Sequence, residues 1–263
     1  MSKLSPHDLE WAVKRLPKKV AQLLHDRPNR LFVAGGYIRS RVTGEKVSDI
    51  DLFAPSKEEA KSAIEDLIIS IHRSDETQGH PLDGFLGDED RADHLHDLAP
   101  LVYETENAFT AKGTHPMVQA IHRWTFSTPE DAIQSFDFTI AKAAIWHDGL
   151  SWRSICHPDY YADLAAKRLV YTSPVREESP GGSLLRVLKF YQKGYRIPLV
   201  SLAAVIARLV KAIEFKKVDM ERGDAEAHIT FLLSGLLREV DPNIDPEAVQ
   251  PLAGAMPEEG GDA

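Results

Sequence analysis

Residues 32–53 read FVAGGYIRSRVTGEKVSDIDLF, and this stretch decides the fold. A short apolar strand enters a turn at the paired glycines Gly35 and Gly36. A second apolar strand follows after a short helix and carries Asp49 and Asp51, which are separated by one residue. Because side chains on a strand alternate between its two faces, both aspartates are expected on the same face.

These residue types predict a site for a cation and a phosphate. Two neighbouring carboxylates repel each other unless a cation neutralises them, and hard oxygen ligands suit Mg²⁺. Gly35 and Gly36 leave backbone N–H groups open to a phosphate at the start of a helix, and Arg39 one turn later is able to reach the same anion. Taken singly, a paired glycine often marks only a turn, and an Asp-x-Asp can simply cap a strand end.

A third carboxylate is expected for two-metal chemistry, and Asp137 is the candidate. We predict strands over 102–111 and over 136–146, although 141–144 could instead be helical. In the second strand, Phe136 and Phe138 face the core. Asp137 and Thr139 would then emerge together on the opposite, polar face.

Composition narrows the classes of protein that need to be considered. The chain of 263 residues suits one large domain or a domain with a smaller appendage. Its net charge of −9 opposes non-specific adhesion to nucleic acid. With Cys156 as the single cysteine, no intrachain disulfide is expected. Without an apolar signal core or a membrane span, we expect a cytoplasmic protein with no membrane partner, and we leave its oligomeric state open.

The order of elements predicts an α/β head with a mixed sheet flanked by helices, over residues 1–165. An exposed insertion is expected at 73–100, where hydrophobic periodicity is lost. A small helical neck-like region is expected over 166–240. Residues 241–263 are expected to form a disordered acidic tail.

The first motif resembles the head-domain signature of the DNA polymerase beta-type nucleotidyltransferases. The resemblance is closest to tRNA CCA-adding enzymes and bacterial poly(A) polymerases, where a paired glycine precedes an arginine and an Asp-x-Asp strand. It implies that Asp49 and Asp51 bind Mg²⁺, that Asp137 supplies the third carboxylate and that Arg39 is the family's arginine. An aspartate usually follows that arginine, whereas this chain has Ser40.

A second stretch, residues 183–197, resembles the neck helix of CCA-adding enzymes. Ser183 stands where that family has an arginine. Arg186 and Lys189 share one helix face through their i, i+3 spacing. We consider them as contacts for triphosphate or acceptor phosphates, against the alternative of an ordinary solvated face.

The resemblance implies an ATP- or other NTP-binding enzyme with a two-metal Mg²⁺ site. It would transfer a nucleoside monophosphate from an NTP to an acceptor hydroxyl, most simply the 3′ end of a tRNA-like RNA, and release pyrophosphate. One alternative is an enzyme of the same fold that modifies a protein or a small molecule, which the acidic net charge favours. The others are a non-catalytic nucleotide-binding module and an interaction protein with a vestigial motif.

Overall fold

A computed structural model describes residues 1–76, 101–172, 180–213 and 225–238. The chain divides into two compact units, Met1–Arg168 and Leu169–Ala263. Most of the predicted insertion (residues 77–100) and the predicted tail (241–263) lie outside the described residues.

Two helices precede the sheet in the first unit: α1 (Pro6–Lys14) and α2 (Lys18–Asp26). The Ser5 side chain caps α1 by accepting a hydrogen bond from the Asp8 N–H at 3.1 Å. Pro17 separates the two helices, because its ring removes a backbone donor and clashes with the preceding turn of a helix.

Within the described residues, seven strands form one mixed sheet, in the order β3-β4-β5-β2-β1-β6-β7. Strands β2 and β5 are parallel, and every other neighbouring pair is antiparallel. The strands are β1 (Phe32–Ala34), β2 (Asp49–Phe53), β3 (Val102–Glu104), β4 (Ala108–Ala111), β5 (Met117–Ile121), β6 (Ala143–His147) and β7 (Trp152–Cys156). The predicted mixed sheet flanked by helices is thus observed.

Four more helices complete the described part of the first unit. They are α3 (Gly36–Thr43), α4 (Lys57–Glu76), α5 (Pro129–Gln134) and α6 (Tyr160–Ala165), with a 3₁₀ turn at Thr139–Ala141. Helix α3 packs against β1 and β2, α4 against β4 and β5, and α5 against β1, β6 and β7. The face of the sheet under α5 carries an apolar cluster that includes Phe32, Phe53 and Ile133.

Two strand predictions are wrong. The predicted strand over 102–111 is a hairpin of β3 and β4. The predicted strand over 136–146 begins only at Ala143. Residues 138–142 instead form a tight turn, in which the Ala141 and Lys142 N–H groups bond carbonyls three residues earlier. The alternation of large and polar residues there reflects burial within a turn rather than a pleated strand.

The described part of the second unit is helical, with α7 (Pro180–Gln192), α8 (Leu199–Lys211) and α9 (Ala225–Arg238). Helix α7 packs against both α8 and α9. Gly194 follows α7 with φ +84°, a conformation that favours glycine just after a helix. Among the described residues, no helix is long and apolar enough to cross a membrane.

Candidate active site

The paired-glycine turn joins β1 to α3, and its first glycine is held by the sheet. Gly35 has φ +81° and ψ −125°, a region that other residues rarely adopt. Its N–H donates to the Ala143 carbonyl at 3.0 Å, and the Phe136 ring lies 3.7 Å from the position of a Cβ at residue 35. The Gly35 N–H is therefore committed to β6, contrary to the expectation that it is open to phosphate. Binding of phosphate near Gly35 remains a prediction.

The first turn of α3 supplies the N–H groups that remain. No side chain caps this helix, so the N–H groups of Gly36, Tyr37 and Ile38 lack a capping partner. The helix dipole adds a partial positive charge at the same place. The Asp49 Oδ1 lies 4.0 Å from the position that a Gly36 Cβ would occupy. The turn thus brings a carboxylate and a potential anion site side by side.

Strand β2 presents its two aspartates on one face, as its alternation predicts. Asp49 and Asp51 are half-buried, whereas Ile50 and Leu52 between and after them are fully buried. Burying Ile50 and Leu52 fixes the register, because a slip of one residue would place both carboxylates in the core. Core packing on one face therefore holds the acidic pair on the other.

The neighbouring strand β5 adds an amide that the sequence analysis missed. In the parallel pairing, Met117 lies opposite Asp49 and Gln119 lies opposite Asp51. The Gln119 side chain is half-buried and donates through Nε2 to Thr110 Oγ1 at 3.3 Å. No local signal marks Gln119, because only the long-range pairing of β2 with β5 brings it to Asp51.

The aspartate pair is suited to Mg²⁺, but the described residues do not assemble three carboxylates. Within those ranges, no group of three or more His, Cys, Asp or Glu residues is placed to hold a metal ion. Mg²⁺ is commonly bound by one or two carboxylates together with substrate phosphates. Asp49 and Asp51, next to an uncapped helix start, fit that donor set. A second cation held by Asp137 remains a prediction.

Asp137 lies in the turn between α5 and β6 rather than on a strand. It is 4 % exposed, and it sits between Phe136, which lies beside Gly35, and the fully buried Phe138. Thr139 does not share a polar face with it, which corrects the expectation from the sequence. The Thr139 hydroxyl is buried and donates to Asp163 Oδ2 at 2.5 Å.

Asp163 was not expected from the sequence, and it anchors this turn. Its carboxylate is fully buried, and Arg168 Nη2 lies 2.6 Å from Oδ1. Arg168 Nε donates to the same oxygen at 2.8 Å. Nearby in sequence, the buried Lys142 donates to the Gln134 carbonyl at 3.0 Å. These contacts hold the segment that carries Asp137.

Arg39 is buried beside the loop that leads into β2. Its Nε lies 3.5 Å from Glu45 Oε2, and its Nη2 donates to Ser40 Oγ at 3.3 Å. The ion pair links α3 to the α3–β2 loop, which ends at Asp49. Contact between Arg39 and a triphosphate remains a prediction, as it does for Arg186 and Lys189 on α7 of the second unit.

The fold is similar to that of tRNA nucleotidyltransferases. The Thermotoga maritima CCA-adding enzyme complexed with tRNA gives a TM-score of 0.52 at 14% identity, over 92% of this chain and 57% of that chain. A CCA-adding enzyme with CTP gives a TM-score of 0.49 at 17% identity, over 94% of this chain and 52% of that chain. An apo tRNA-processing enzyme gives 0.45 at 15% identity, over 81% and 51%. This chain thus spans little more than half the length of these structures.

At these identities, the likeness to the tRNA-bound enzyme shows the fold alone, which is that of the polymerase beta-like nucleotidyltransferases. The structural resemblance noted in the sequence is thereby confirmed. No curated protein matches the sequence. One family model matches residues 5–167, which is more than half of the chain and includes every strand of the sheet. The chain therefore belongs to the Gabija anti-defense 2 (Gad2) family.

Proposed function

We propose that the protein is a Mg²⁺-dependent nucleotidyltransferase that moves a nucleoside monophosphate from an NTP to an acceptor hydroxyl. One observation carries this proposal. Asp49 and Asp51 share a half-buried face, and the Asp49 carboxylate lies 4.0 Å from the Cβ position of Gly36 at the uncapped start of α3. A cation ligand and a phosphate cradle are thus adjacent.

Each part of the site has a role in this reaction. Asp49 and Asp51 hold Mg²⁺, which when bound supplies positive charge to the triphosphate. The N–H groups of the first turn of α3 bind phosphate oxygens, and the absence of a side chain at Gly36 lets the phosphate approach closely. Asp137 orients the acceptor hydroxyl and accepts its proton. The hydroxyl oxygen then bonds to the α-phosphorus as the bond to pyrophosphate breaks.

The first candidate acceptor is the 3′ hydroxyl of an RNA. One solved structure with this fold is a CCA-adding enzyme complexed with tRNA, which supports this choice. A terminal hydroxyl also meets the chemical requirement for a nucleophile. Arg186 and Lys189 would then contact phosphates of the triphosphate or the acceptor.

A hydroxyl on a protein is the second candidate. The net charge of −9 weakens attraction to an RNA backbone, whose binding depends on neutralising phosphates. The family description assigns an action against a defence system, and covalent labelling of a defence component would accomplish it. This candidate needs the same residues around Asp49 and differs only in what supplies the hydroxyl.

Label transfer tests the proposal. The full chain is incubated with Mg²⁺ and each α-labelled NTP in turn. RNA or protein from cells that carry the Gabija system is added as the acceptor. We expect label on an acceptor with wild type and with Asp26→Asn, an exposed control, but none with the double variant Asp49→Asn/Asp51→Asn. A γ-labelled NTP should leave the acceptor unlabelled. Equal labelling by the double variant would refute the assignment of the site.

Anti-defence activity gives a second readout. Cells carrying Gabija would express wild type, the Asp49→Asn/Asp51→Asn variant or the Asp26→Asn control at matched levels. If the transfer reaction is how the protein inhibits Gabija, the double variant should no longer inhibit Gabija, whereas wild type and the Asp26→Asn control should still do so. Full protection by a variant that cannot transfer label would separate anti-defence from catalysis and favour a binding role.

A further inference from the structure

Strand β5 places a neutral amide next to the acidic pair. Gln119 is the direct partner of Asp51 in the parallel pairing, and Met117 is the partner of Asp49. Directly paired residues on adjacent strands share a face, with backbones about 5 Å apart. The intervening Val118 is fully buried on the other face. Gln119 therefore lies on the same face as Asp49 and Asp51.

A hydrogen bond orients the Gln119 amide. Its Nε2 donates to Thr110 Oγ1 at 3.3 Å, and Thr110 on β4 is the direct partner of Gln119 on the side away from β2. Thr110 is 7 % exposed, so the bond is largely shielded from water. With the nitrogen committed to β4, the carbonyl oxygen Oε1 remains as an acceptor. Amide oxygens are ligands for hard cations and for their bound waters.

The Gln119 amide is neutral, whereas Asp49 and Asp51 on the same face of the sheet are both acidic. Met117 brings no side-chain oxygen, and Gln119 is the one residue of β5 (Met117–Ile121) whose side chain carries an oxygen. A carboxylate at residue 119 would add a third negative charge and would repel Asp51 when no cation is bound. An amide supplies an oxygen without that repulsion.

We propose that Gln119, held by Thr110, is the third oxygen donor to the cation bound by Asp49 and Asp51, either directly or through a bound water. The inference rests on the proposed function for the identity of the cation site. It assigns to Gln119 a role in cation binding that is independent of which acceptor the enzyme uses. Because the amide is neutral, the site holds a single cation less tightly than three carboxylates would.

Titration with Mn²⁺ tests the proposal without nucleotide. Binding to the full chain is followed by electron paramagnetic resonance for wild type, Gln119→Glu, Gln119→Ala and Gln22→Glu. Gln22 is exposed on α2 and serves as the control for added charge. We expect Gln119→Glu to lower the dissociation constant about tenfold through its added charge. Gln119→Ala should raise it about threefold, and Gln22→Glu should leave it unchanged.

Two results would overturn the proposal. One is a dissociation constant for Gln119→Ala that equals that of wild type. The other is Mn²⁺ binding that persists in Asp49→Asn/Asp51→Asn, because the titration would then report a different site. Thermal unfolding without metal checks that each variant is folded, and Thr110→Val should weaken binding in the same direction as Gln119→Ala.

Failure of the two proposals is distinguishable. A wild type that transfers no label would refute the proposed function, whereas the shift in Mn²⁺ affinity uses neither nucleotide nor acceptor. A higher dissociation constant for Gln119→Ala therefore supports the third donor even if transfer is absent.

Discussion

Two sets of carboxylates in the first unit have opposite surroundings. Asp163 is fully buried, and Thr139 and Arg168 supply its hydrogen bonds. Asp49 and Asp51 are half-buried on β2, and the Asp49 carboxylate lies beside the start of α3. The Asp163 carboxylate is enclosed together with its partners, whereas the Asp49 and Asp51 carboxylates lie on one face and keep contact with solvent.

The difference separates structural carboxylates from those available to a ligand. Burying a charge is costly unless partners compensate it, and the contacts of Asp163 provide that compensation. Two adjacent carboxylates that keep contact with solvent lower the free energy of a bound cation. Asp163 should therefore matter for folding, and Asp49 and Asp51 for chemistry.

The largest effect is expected on catalysis. Each of Asp49→Asn and Asp51→Asn should reduce the rate of label transfer at least about 1000-fold, or about 4 kcal/mol in the barrier. Asp49→Asn removes like-charge repulsion, so the melting temperature of that variant should stay constant or rise. Initial rates and thermal unfolding measure both quantities. A rate within tenfold of wild type for either variant would remove that carboxylate from the catalytic site.

Removing the buried carboxylate of Asp163 should lower the stability of the fold. Asp163→Ala leaves the Thr139 hydroxyl without its acceptor and Arg168 without its partner, so we expect a loss of about 3 kcal/mol in the free energy of unfolding. Urea denaturation measures it, with the exposed Asp159→Asn as the matched control. A loss of unfolding free energy below about 1 kcal/mol would show that the bonds of Asp163 to Thr139 and Arg168 are not needed for stability.

Backbone strain at Gly35 should have a smaller effect on stability, and it tests whether the glycine turn is needed for NTP binding. Gly35 and Gly113 have nearly equal φ angles, +81° and +80°. Alanine at either position should cost about 1–2 kcal/mol of stability. Only Gly35→Ala should also weaken NTP binding, because Gly113 lies in the β4–β5 loop. Equal weakening by Gly113→Ala would mean that binding reports overall stability rather than the local turn.

The smallest effect concerns the buried thiol of Cys156. Burial raises the pKa of the Cys156 thiol to about 11. A raised folded-state pKa contributes stability that is present below the ordinary value near pH 9 and is lost as pH rises towards 11. Relative to Cys156→Ala, wild type should lose about 1 kcal/mol of unfolding free energy by pH 10. Urea titrations at pH 8 and 10 measure this difference, and a parallel response of both proteins would contradict it.

Local sequence patterns predicted the acidic pair well. The strand, glycine turn, helix and second strand all appear, and the alternation of Asp49 and Asp51 with apolar residues matches their exposure. These features depend on contacts within about twenty residues. Short-range steric and hydrophobic rules are sufficient to predict them.

The surroundings of Asp137 were predicted poorly. Its flanking phenylalanines imitate a strand, but the chain closes a 3₁₀ turn because Thr139 finds the buried Asp163 on α6. An alternating pattern reports which side chains are buried, whereas a distant partner decides the backbone conformation. Arg39 illustrates the same limit, since its pairing with Glu45 depends on how the α3–β2 loop folds back.

The sequence by itself determined the strand, turn, helix and second strand of residues 32–53 and the shared face of Asp49 and Asp51, because strand alternation and glycine conformation are local properties. Its resemblance to the polymerase beta-type nucleotidyltransferases indicated the fold of the head. Only the tertiary structure decided that Gln119 lies beside Asp51, that the Gly35 N–H is committed to Ala143 and that Asp163 anchors the turn after Asp137. Each of these contacts joins segments far apart in the chain. Their formation depends on which strands pair and which polar groups are buried together, and no local pattern encodes that choice.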